Sequence, residues 1–347
     1  MKRKMIIHNA GLLTTVQDKG RCGYQKDGIP TAGVMDSDAH CIANMLVGNA
    51  RYEAVLEVTM IGPVIEFIGN CVIAVTGASF DLKINENSIE MNRSIQVVSG
   101  DVLSFNNIKH GMRAYLAVQG GFEIEPILGS LSTYIRGCIG GYKGRALKRG
   151  DVIYLNESIK RAITDRKLHS KREKSFEEDC IIRVIKGEEE NMFSAEAINQ
   201  FYSSEYVLSN ACDRMGYKLN GQKIKHIGKA DILSSGLTLG AIQIPGHGEP
   251  IIMMVDHQTT GGYARIANVI AADIAYLAQL KPGCKVKFSK IDIKTAHKLL
   301  LKEQEALDEL EDDFARAAQC CAGNQSNYEV HVNRKKFNLL VQEINKN

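Results

Sequence analysis

The spacing of apolar and polar residues predicts that most of this chain folds into short strands. Between residues 54 and 118, short apolar runs follow one another and are separated by connectors that carry Gly, Asn and Asp. Short strands at such regular spacing are typical of antiparallel sandwiches and barrels, whereas βαβ units would alternate strands with helical patterns. The predicted strands are 5–8, 55–58, 64–67, 71–75, 82–84, 95–98, 102–105 and 114–118.

The stretch 240–280 contains a strand-like pattern of apolar residues followed by a helix-like one. Its wholly apolar run 251–255 predicts a strand that is buried on both faces, and polar residues 256–260 with a pair of glycines follow directly. The later apolar residues share one helical face, so we predict a helix that begins near Tyr263 and ends by Lys281. A polar loop between a buried strand and a helix suits a rigid pocket floor, and it equally suits an ordinary strand-to-helix connection.

Helical signals occur at three other places. Asp36 is the predicted N-cap of a helix that ends at Gly48, a second helix is predicted over 194–202, and a charged amphipathic helix over 293–318. The remaining predicted strands are 180–185 and 206–208, followed by a C-terminal hairpin of 328–332 and 337–341.

The length of 347 residues exceeds what one hydrophobic core usually serves, so two domains are expected. The charged, weakly periodic segment 161–179 is the predicted linker between an N-terminal domain, 1–160, and a C-terminal domain, 180–347. The two halves share a weak sequence similarity, T…GGY…LKRGDVIYL in the first and TGGY…LKPGCKVKF in the second. A duplication would explain this similarity, and a chance match of glycines would explain it equally.

The composition excludes several classes of protein. A formal net charge of +3, without a basic stripe interleaved with aromatic residues, argues against nucleic-acid binding. No apolar run approaches the roughly 18 residues of a membrane span, and the first residues lead into a strand, so a cytoplasmic protein is expected. The nine cysteines are mostly isolated and form no C-x-x-C motif. We therefore expect no disulfide framework and no structural metal.

Glycines crowd two segments of the N-terminal half. Residues 11–30 hold four glycines and a proline among polar residues and are predicted to be largely loop. The glycines of 120–144 suit backbone N–H groups that cradle a phosphate. However, the chain has neither the P-loop pattern nor a strand–GxGxxG–helix arrangement, so tight turns in a β-rich domain are favoured.

Candidate catalytic residues lie in the polar segments of the second half. Arg214 and Arg265 each have glycine and tyrosine neighbours, where a guanidinium suits gripping a carboxylate or phosphate. Asp256 follows a predicted buried strand and suits orienting a base or binding a cation. A salt bridge for each arginine and a cap for the aspartate are the structural alternatives. We predict Asp256, Arg265 and Arg214 as the catalytic group.

Amide side chains suit recognition of an amide or ureido group, because each offers a donor and an acceptor. The predicted substrate-binding residues are Gln243, Thr260, Tyr263, Gln17 and Gln258. His257 is either a proton shuttle or an exposed loop histidine. Because the paired glycines 261 and 262 let the backbone turn sharply, we predict that Arg265 and Asp256 line one cleft with Gln243 and Thr260.

Long blocks of the sequence resemble one known family. The first blocks are GLLTTVQDKGR, DGIP, TAGVMD, ANMLVGN and LEVTMIGP, and the later ones are YLAVQGGF, LGSLST, GGYKGRALKRGD, SNACDRMGYKL, SSGLTLGAIQIPGHGEPI and DHQTTGGYARIA. They are similar, in the same order, to the allophanate hydrolase subunit 2 family, also called the KipA-like or biotin-dependent carboxyltransferase family. The resemblance covers residues 5 to about 290 and extends to the C subunit of bacterial 5-oxoprolinase.

The resemblance implies a mainly β protein with a few helices, built from two cyclophilin-like β-barrel domains in tandem. It also implies a hydrolase subunit of an ATP-dependent 5-oxoprolinase complex, which converts 5-oxoproline to glutamate. The implied partners are a subunit-1-type (KipI-like) protein and a lactam-hydrolase subunit, and the implied cofactor of the complex is ATP with Mg²⁺. Since the sequence offers no complete set of nucleophile, base and orienting residue, the isolated chain is expected to turn over nothing at a useful rate.

The resemblance leaves two alternatives open. Fused relatives transfer a carboxyl group from biotin to urea, although the sequence contains no biotin-carboxylase or biotinyl-carrier stretch. The KipA-like name implies a non-enzymatic regulator that binds a kinase-inhibitor protein. The chain departs from the family at Ala32 and Cys212, where serine is usual, and at Leu131, where arginine is usual. The missing arginine removes a potential fork for carboxylate or phosphate, which bears on the identity of the substrate.

Overall fold

The computed structural model describes residues 2–157, 166–169, 176, 179–322, 325–332 and 335–342. Most of the predicted linker 161–179 lies outside these residues. The chain forms two compact units, Met1–Glu303 and Gln304–Asn347. The domain boundaries suggested by the sequence stay a prediction.

The first half of unit Met1–Glu303 is a nine-stranded sheet that forms a half-barrel. Its strands are β1 (Lys4–Asn9), β2 (Leu13–Gln17), β3 (Val55–Thr59), β4 (Val64–Ile68), β5 (Cys71–Ile84), β6 (Asn87–Ile89), β7 (Ile95–Val97), β8 (Val102–Val118) and β9 (Val152–Tyr154). The main path runs β2–β3–β8–β4–β1–β9, and β5 joins it through β8 and also pairs with β6 and β7. Side chains such as Ile7, Phe67 and Leu116 fill the core of this sheet.

The strands β5 and β8 are each longer than the sequence pattern predicts. Predicted strands 71–75 and 82–84 are both part of β5, and 102–105 and 114–118 are both part of β8. Gly77, whose φ is +88°, accompanies a shift of register between β5 and β8 and does not form a turn. A glycine within a strand commonly marks such a bulge.

The strand β2 lies in a segment that was expected to be loop. It pairs antiparallel with β3 from Leu13↔Thr59 to Gln17↔Val55. Two threonines and a glutamine hide its apolar pattern, yet all three are buried. Most of their polar atoms find partners inside the protein, as when Thr14 Oγ1 donates to Ala10 O at 2.6 Å, although Gln17 Oε1 has none among the described residues. The polar sequence therefore concealed a buried strand.

The second half of this unit is a closed barrel. Its strands are β10 (Asp179–Lys186), β11 (Tyr206–Cys212), β12 (Gly216–Gly221), β14 (Ala241–Gln243), β15 (Ile251–Met253), β17 (Arg265–Val269) and β18 (Lys285–Lys290), while β13 (Asp231–Gly236) and β16 (Thr260–Tyr263) form a separate pair. The barrel order is β10–β17–β14–β15–β12–β11–β18, and the parallel pairing of β10 with β18 closes it. A second hydrophobic core, which includes Tyr217, Ile252 and Phe288, fills the barrel. The prediction of a mainly β chain is confirmed.

The predicted helix from Tyr263 to Lys281 is wrong over its first half. Residues from Arg265 to Val269 form β17, and the helix α3 covers only Ala271–Leu277. Because β17 pairs with both β10 and β14 inside the barrel, nearly all of its residues are buried and it shows no strand-like alternation. A short apolar run of this kind cannot be distinguished from a buried helix by its period alone.

The other predicted helices are confirmed. Helix α1 (Ser37–Val47) begins after Asp36, whose side chain accepts from the N–H groups of Asp38 and Ala39, and it ends at Gly48 in the left-handed conformation. Helix α2 (Ala195–Ser203) has Ser194 as its N-cap.

The unit Gln304–Asn347 holds the second part of a long helix and a hairpin. Helix α4 covers Ile293–Ala322, and β19 (Gln325–Val332) pairs antiparallel with β20 (Lys335–Gln342). The helix and hairpin predicted for this region are confirmed. Among the described residues, none of the helices has both the length and the apolar character needed to cross a membrane.

Candidate active site

A buried ion network joins the half-barrel to the closed barrel. Arg214 lies in the turn between β11 and β12, and its Nε and Nη2 donate to the two carboxylate oxygens of Asp256 at 2.9 and 3.0 Å. Its Nη1 donates to Oε1 of Glu57 on β3 at 2.5 Å, and Nη2 also reaches Gly33 O at 2.6 Å. All three charged side chains are at least 94% buried. The network therefore fixes the two sheets against each other through one guanidinium.

Burial and charge together shape the pKa values of this network. Burial alone would lower the pKa of Arg214, but the charges of Glu57 and Asp256 outweigh it and raise that pKa. For Asp256 burial is the largest cause and raises the pKa of its carboxyl group, which the guanidinium of Arg214 only partly offsets. Since Arg214 stays charged, Asp256 is held by two hydrogen bonds in a fixed orientation.

The network continues through hydrogen-bonded side chains of α1, β8 and the end of α3. Tyr115 donates from its hydroxyl to Glu57 Oε2 at 3.0 Å and accepts from the N–H of Asp36 at 2.8 Å. Gln279 donates to Asp36 Oδ2 at 2.7 Å, and its Oε1 accepts from the N–H groups of Met112 and Arg113. These contacts give the junction several further buried links between the two sheets.

Asp18 forms a second polar cluster, directly after β2. Its carboxylate accepts from Ser130 Oγ at 2.6 Å, Ser132 Oγ at 2.5 Å, the Leu131 N–H at 2.7 Å and the Gly20 N–H at 2.8 Å. Burial alone would raise the pKa of Asp18, but these four hydrogen bonds outweigh it and lower the pKa below its usual value. Asp18 is therefore a fixed negative charge whose acceptor capacity is filled.

Arg21 lies beside this cluster, and most of its hydrogen-bond donors have no partner among the described residues. Its side chain is about as buried as that of Arg113, and Nη2 donates to the carbonyl oxygen of Ser132. Its Nε and Nη1 are buried and have no hydrogen-bond partner among the described residues. Burial lowers the pKa of Arg21, while the charges of Asp18 and Asp256 act in the opposite direction. Arg21 is thus a charged group with unpaired donors, and two carboxylates act on it electrostatically.

His257 and Gln17 border the same region. His257 is buried, and its Nδ1 lies 2.7 Å from Gln258 O. Burial lowers the pKa of His257, so its ring is held neutral over a wider pH range than a free histidine. Gln17 donates from Nε2 to Thr15 Oγ1 at 3.0 Å and to Thr133 O at 3.1 Å. Its Oε1 is buried without a hydrogen-bond partner in the described part of the chain.

The residues predicted from the sequence fall into two sets. Arg214 and Asp256 are in direct contact, with His257 and the exposed Gln258 next in the chain. Arg265 instead donates to Glu189 from Nε at 2.7 Å and from Nη2 at 2.5 Å. In the described residues no hydrogen bond or ion pair connects Arg265 with Asp256.

The second set lies on β14, β16 and β17. Gln243 is opposite Arg265 in the pairing of β14 with β17, and its Nε2 donates to Tyr263 O at 3.2 Å. Thr260 and Tyr263 are exposed on β16. Arg265 also donates to Gly236 O at 2.7 Å and to Ser235 Oγ at 3.1 Å, so its donors hold β13 and the Glu189 loop. Arg265 is therefore a structural fork, and the exposed residues Thr260 and Tyr263 lie on the preceding strand.

Sequence reasoning did not single out several members of the ion network and of the Asp18 cluster. Glu57 is the one charged residue of the apolar strand VLEVT, and this isolated charge was the available signal. Asp18 and Arg21 stand in the QDKGR string, within a segment that was predicted to be loop. Ser130 and Ser132 lie 112 and 114 positions from Asp18, so only the fold brings them together.

A large cavity on the half-barrel is a separate feature. It has a volume of about 1000 Å³ and lies beside α1, β5 and β8. The amines of Lys109 and Lys167 that line it are paired with Asp81 and Glu90 respectively. We therefore place the candidate site at the ion network and the Asp18 cluster, where buried polar groups remain unpaired.

The residues present provide little that is typical of a metal or triphosphate site. In the part of the chain that the structure describes, no group of three or more His, Cys, Asp or Glu side chains is arranged to hold a metal ion. The glycine-rich segment 133–144 uses several of its own N–H groups internally, as in Gly144 N to Gly140 O and Cys138 N to Ile135 O. These contacts are typical of tight turns and not of a phosphate cradle.

Comparison with known proteins identifies related sequences. The chain matches the family described as carboxyltransferase domain, subdomain A and B, over residues 27–290. The C subunit of 5-oxoprolinase from Escherichia coli (strain K12) is 36% identical over 304 residues, which are 88% of this chain and 96% of that protein. The protein of the same name from Haemophilus influenzae is 35% identical over 85% of this chain and 94% of its own length.

Solved structures give a consistent result. The urea carboxylase of Kluyveromyces lactis superposes with a TM-score of 0.82 at 32% identity, covering 90% of this chain and 29% of that one. The urea amidolyase of K. lactis gives a TM-score of 0.81 at 32% identity, covering 90% of this chain and 20% of that one. The similarity includes both the half-barrel and the closed barrel, because it spans nine-tenths of the chain.

Proposed function

Because this chain belongs to the carboxyltransferase domain family, subdomains A and B, we propose that it acts as the C subunit of a 5-oxoprolinase. In this proposal it is one part of a hydrolase that opens 5-oxoproline to glutamate at the expense of ATP. The observation that carries the proposal is the match over 96% of the corresponding E. coli protein. By contrast, the chain matches only 18% of the urea amidolyase of Lachancea kluyveri.

The proposal requires partner proteins. Opening a lactam needs a polarised carbonyl group, a stabilised oxyanion and a positioned acid or base. Within the described residues the buried acids are already committed: Asp256 binds Arg214, and Asp18 accepts four hydrogen bonds. We therefore propose that the chemistry is completed by a subunit-1-type protein and a lactam-hydrolase subunit. ATP, with Mg²⁺, is assigned to the assembled complex and not to a particular group of this chain.

In this proposal, the chain contributes binding and orientation. Arg214 holds Asp256 in one orientation and links the two sheets through Glu57. These contacts fix the backbone of the Asp256–Gln258 loop. Burial lowers the pKa of His257, so its ring is neutral at neutral pH and can accept a proton. Gln258 and Thr260 follow in the chain and are exposed, so their side chains suit contacts with an amide substrate.

Omission of one protein at a time tests the proposal. The chain and its two proposed partner proteins are purified separately, and ATP hydrolysis is measured with and without 5-oxoproline. We expect 5-oxoproline to stimulate ATP hydrolysis only when all three proteins are present. Stimulation that is undiminished when this chain is left out would contradict the proposal, as would an assembled complex that 5-oxoproline does not stimulate.

Biotin-dependent carboxyl transfer is the second candidate. The observation in its favour is the TM-score of 0.82 with the urea carboxylase of K. lactis. The same purified complex, supplied with carboxybiotin and urea, distinguishes the two reactions by its product. A third outcome, in which the chain binds a KipI-like protein and neither reaction proceeds, would indicate the non-enzymatic regulator.

A further inference from the structure

The guanidinium of Arg21 is buried with most of its hydrogen-bonding capacity unused. The side chain is 1% exposed, and only Nη2 donates, to the carbonyl oxygen of Ser132. Nε carries one N–H group and Nη1 carries two. Both nitrogens are closed to solvent and have no partner in the described residues. Such donors are rarely left unpaired inside a protein, so this arrangement calls for an acceptor.

The neighbouring carboxylates do not supply that acceptor. Asp18 already accepts four hydrogen bonds from Ser130, Ser132 and two backbone N–H groups. Asp256 is bound by Nε and Nη2 of Arg214. Both carboxylates therefore balance the charge of Arg21 without taking its N–H groups, and the guanidinium remains a preorganised cation with free donors.

A second unpaired group lies next to Arg21 and has the opposite character. Gln17 is fully buried, and its Nε2 donates to Thr133 O at 3.1 Å. Arg21 donates to the preceding carbonyl oxygen, Ser132 O, so both side chains are anchored to the same short backbone segment. The Oε1 atom of Gln17 is left as a buried acceptor without a partner among the described residues. The two residues thus have unpaired donors and an unpaired acceptor, and both are anchored to the consecutive carbonyl oxygens of Ser132 and Thr133.

We propose that Arg21 binds a small oxyanion, the carboxylate or phosphate group of the substrate, through Nε and Nη1, and that Gln17 Oε1 accepts an N–H group of the same molecule. This inference rests on the proposed function, because 5-oxoproline carries a carboxylate on the carbon next to its lactam N–H. That pairing of an anion with an adjacent donor matches the two unpaired groups. Hydrogen bonds between a guanidinium and a carboxylate are charge-assisted and stronger than neutral ones.

The segment 133–144 covers this site closely. Gly140 has φ +69°, and a Cβ atom added there would lie 2.5 Å from Arg21 Nη2. The absence of a side chain at Gly140 therefore lets the backbone lie against the guanidinium. Because Nε and Nη1 are closed to solvent, the proposal requires neighbouring chain to move when a ligand binds, and segment 133–144 is the backbone that the structure places against this guanidinium.

Binding to the full-length chain tests the inference without any partner protein. Titration calorimetry is carried out with 5-oxoproline, with 2-pyrrolidinone, which is the same lactam without the carboxylate, and with inorganic phosphate. Arg21→Met removes the charge while keeping a long side chain. The matched control is Arg145→Met, because the guanidinium of Arg145 is fully engaged by Asp151 at 2.7 and 2.8 Å.

We expect 5-oxoproline to bind the wild type at least tenfold more tightly than 2-pyrrolidinone does. Arg21→Met should remove that preference and leave the melting temperature unchanged or higher, because a buried charge with unpaired donors does not stabilise the free protein. Arg145→Met should keep the preference. Gln17→Met should weaken 5-oxoproline binding and leave phosphate binding unchanged. Hydrogen exchange in 133–144 should slow when ligand is added to the wild type and not to Arg21→Met.

Two results would overturn the inference. One is equal binding of each oxyanion to the wild type and to Arg21→Met. The other is the absence of binding together with a lower melting temperature for Arg21→Met, which would make Arg21 a structural residue satisfied by ordered water. If phosphate binds through Arg21 and 5-oxoproline does not, the oxyanion site stands and the proposed substrate is wrong, so the two claims fail separately.

Discussion

At the scale of single residues, the buried arginines differ in how completely their donors are used. Arg214 donates from all three guanidinium nitrogens, to Asp256, Glu57 and Gly33 O. Arg21 donates from one nitrogen only. A buried charge stabilises a fold only when partners compensate its desolvation. The two residues are therefore expected to respond in opposite ways to the same substitution.

Arg214→Met should lower the free energy of unfolding by about 3–5 kcal/mol, because it leaves Glu57 and Asp256 buried without their cation. Urea denaturation of the full-length chain measures this change. Arg136→Met is the control: it breaks an exposed pair with Asp213 and should cost no more than about 1 kcal/mol. A loss for Arg214→Met that is as small as that of the control would contradict the structural role of the network.

Asp18 predicts a specific dependence of stability on pH. Its hydrogen bonds hold the pKa of its carboxyl group below the ordinary value of 3.8. A carboxyl group of this kind stabilises the fold above its ordinary pKa, and the contribution is lost as the pH falls from 3.8 through the folded-state pKa. The stability difference between the wild type and Asp18→Asn should thus be constant from about pH 5 to 7 and shrink below about pH 4.

Urea denaturation at several pH values measures this difference. The exposed Asp27 supplies the control, since Asp27→Asn changes the same chemical group where the carboxylate is not buried. A difference for Asp18→Asn that stays the same down to about pH 2 would show that the ionised carboxylate does not carry the stabilisation.

Arg265 was predicted from the sequence to be catalytic, and the structure engages its guanidinium with Glu189, Gly236 O and Ser235. Arg265→Ala should therefore lower the melting temperature and leave turnover per folded molecule in the assembled complex unchanged. Thermal unfolding and reconstituted turnover are measured on the same preparation. A stable variant that loses about 2–4 kcal/mol of transition-state stabilisation would restore the catalytic assignment.

The pairing of Arg214 with Asp256 illustrates what the sequence revealed about the site. Asp256 stood out because it follows a wholly apolar run, and Arg214 stood out because it has glycine and tyrosine neighbours in a polar segment. Glu57, the other carboxylate that Arg214 binds, lies 157 positions from Arg214, and no local pattern specifies that contact. The same is true of Asp18 and its two serines. The sequence thus indicated individual polar residues, while the contacts that determine their roles depend on the tertiary fold.

At the scale of secondary-structure elements, the end of α3 carries the contact between the two sheets. Gln279 is 1% exposed, and its amide group contacts Asp36 and the backbone of Met112 and Arg113. Gln279→Leu leaves two buried N–H groups without an acceptor. Since each costs about 1–3 kcal/mol, the substitution should lower the free energy of unfolding by about 2–6 kcal/mol.

Chemical denaturation of Gln279→Leu beside Gln222→Leu tests this contact, because Gln222 is exposed and makes the same substitution a surface change. Gln222→Leu should stay within about 0.5 kcal/mol of the wild type. If the two variants are equally stable, the amide of Gln279 does not hold the sheets together.

Elements with clear local signals were predicted well, and the two buried strands β2 and β17 were not. Asp36 and Gly48 defined the ends of α1 correctly, because capping is a local interaction. In β17, pairing on both sides buries nearly every residue, and the sequence pattern that results is indistinguishable from a short buried helix. In β2, the threonine and glutamine side chains are buried and form hydrogen bonds inside the protein, so their polarity was wrongly interpreted as exposure to solvent.

At the scale of the whole molecule, the weak sequence similarity between the two halves does not correspond to equivalent strands. The first copy ends in β9, which pairs antiparallel with β1, whereas the second ends in β18, which pairs parallel with β10. The glycines of the first copy lie in the turn-rich segment 133–144, and those of the second lie in β16. The short matches of glycine and lysine therefore do not mark equivalent strands, whereas the long blocks of family resemblance correctly implied a mainly β fold.

The central claim is that this chain is the C subunit of an enzyme that hydrolyses 5-oxoproline. The most direct test follows ¹³C-labelled 5-oxoproline by NMR in the presence of ATP, the two partner proteins and this chain. We predict that labelled glutamate forms only with all three proteins present and only while ATP is consumed, and that the chain alone forms none. Glutamate formation by the partners without this chain, or a complete complex that leaves 5-oxoproline unchanged, would contradict the claim.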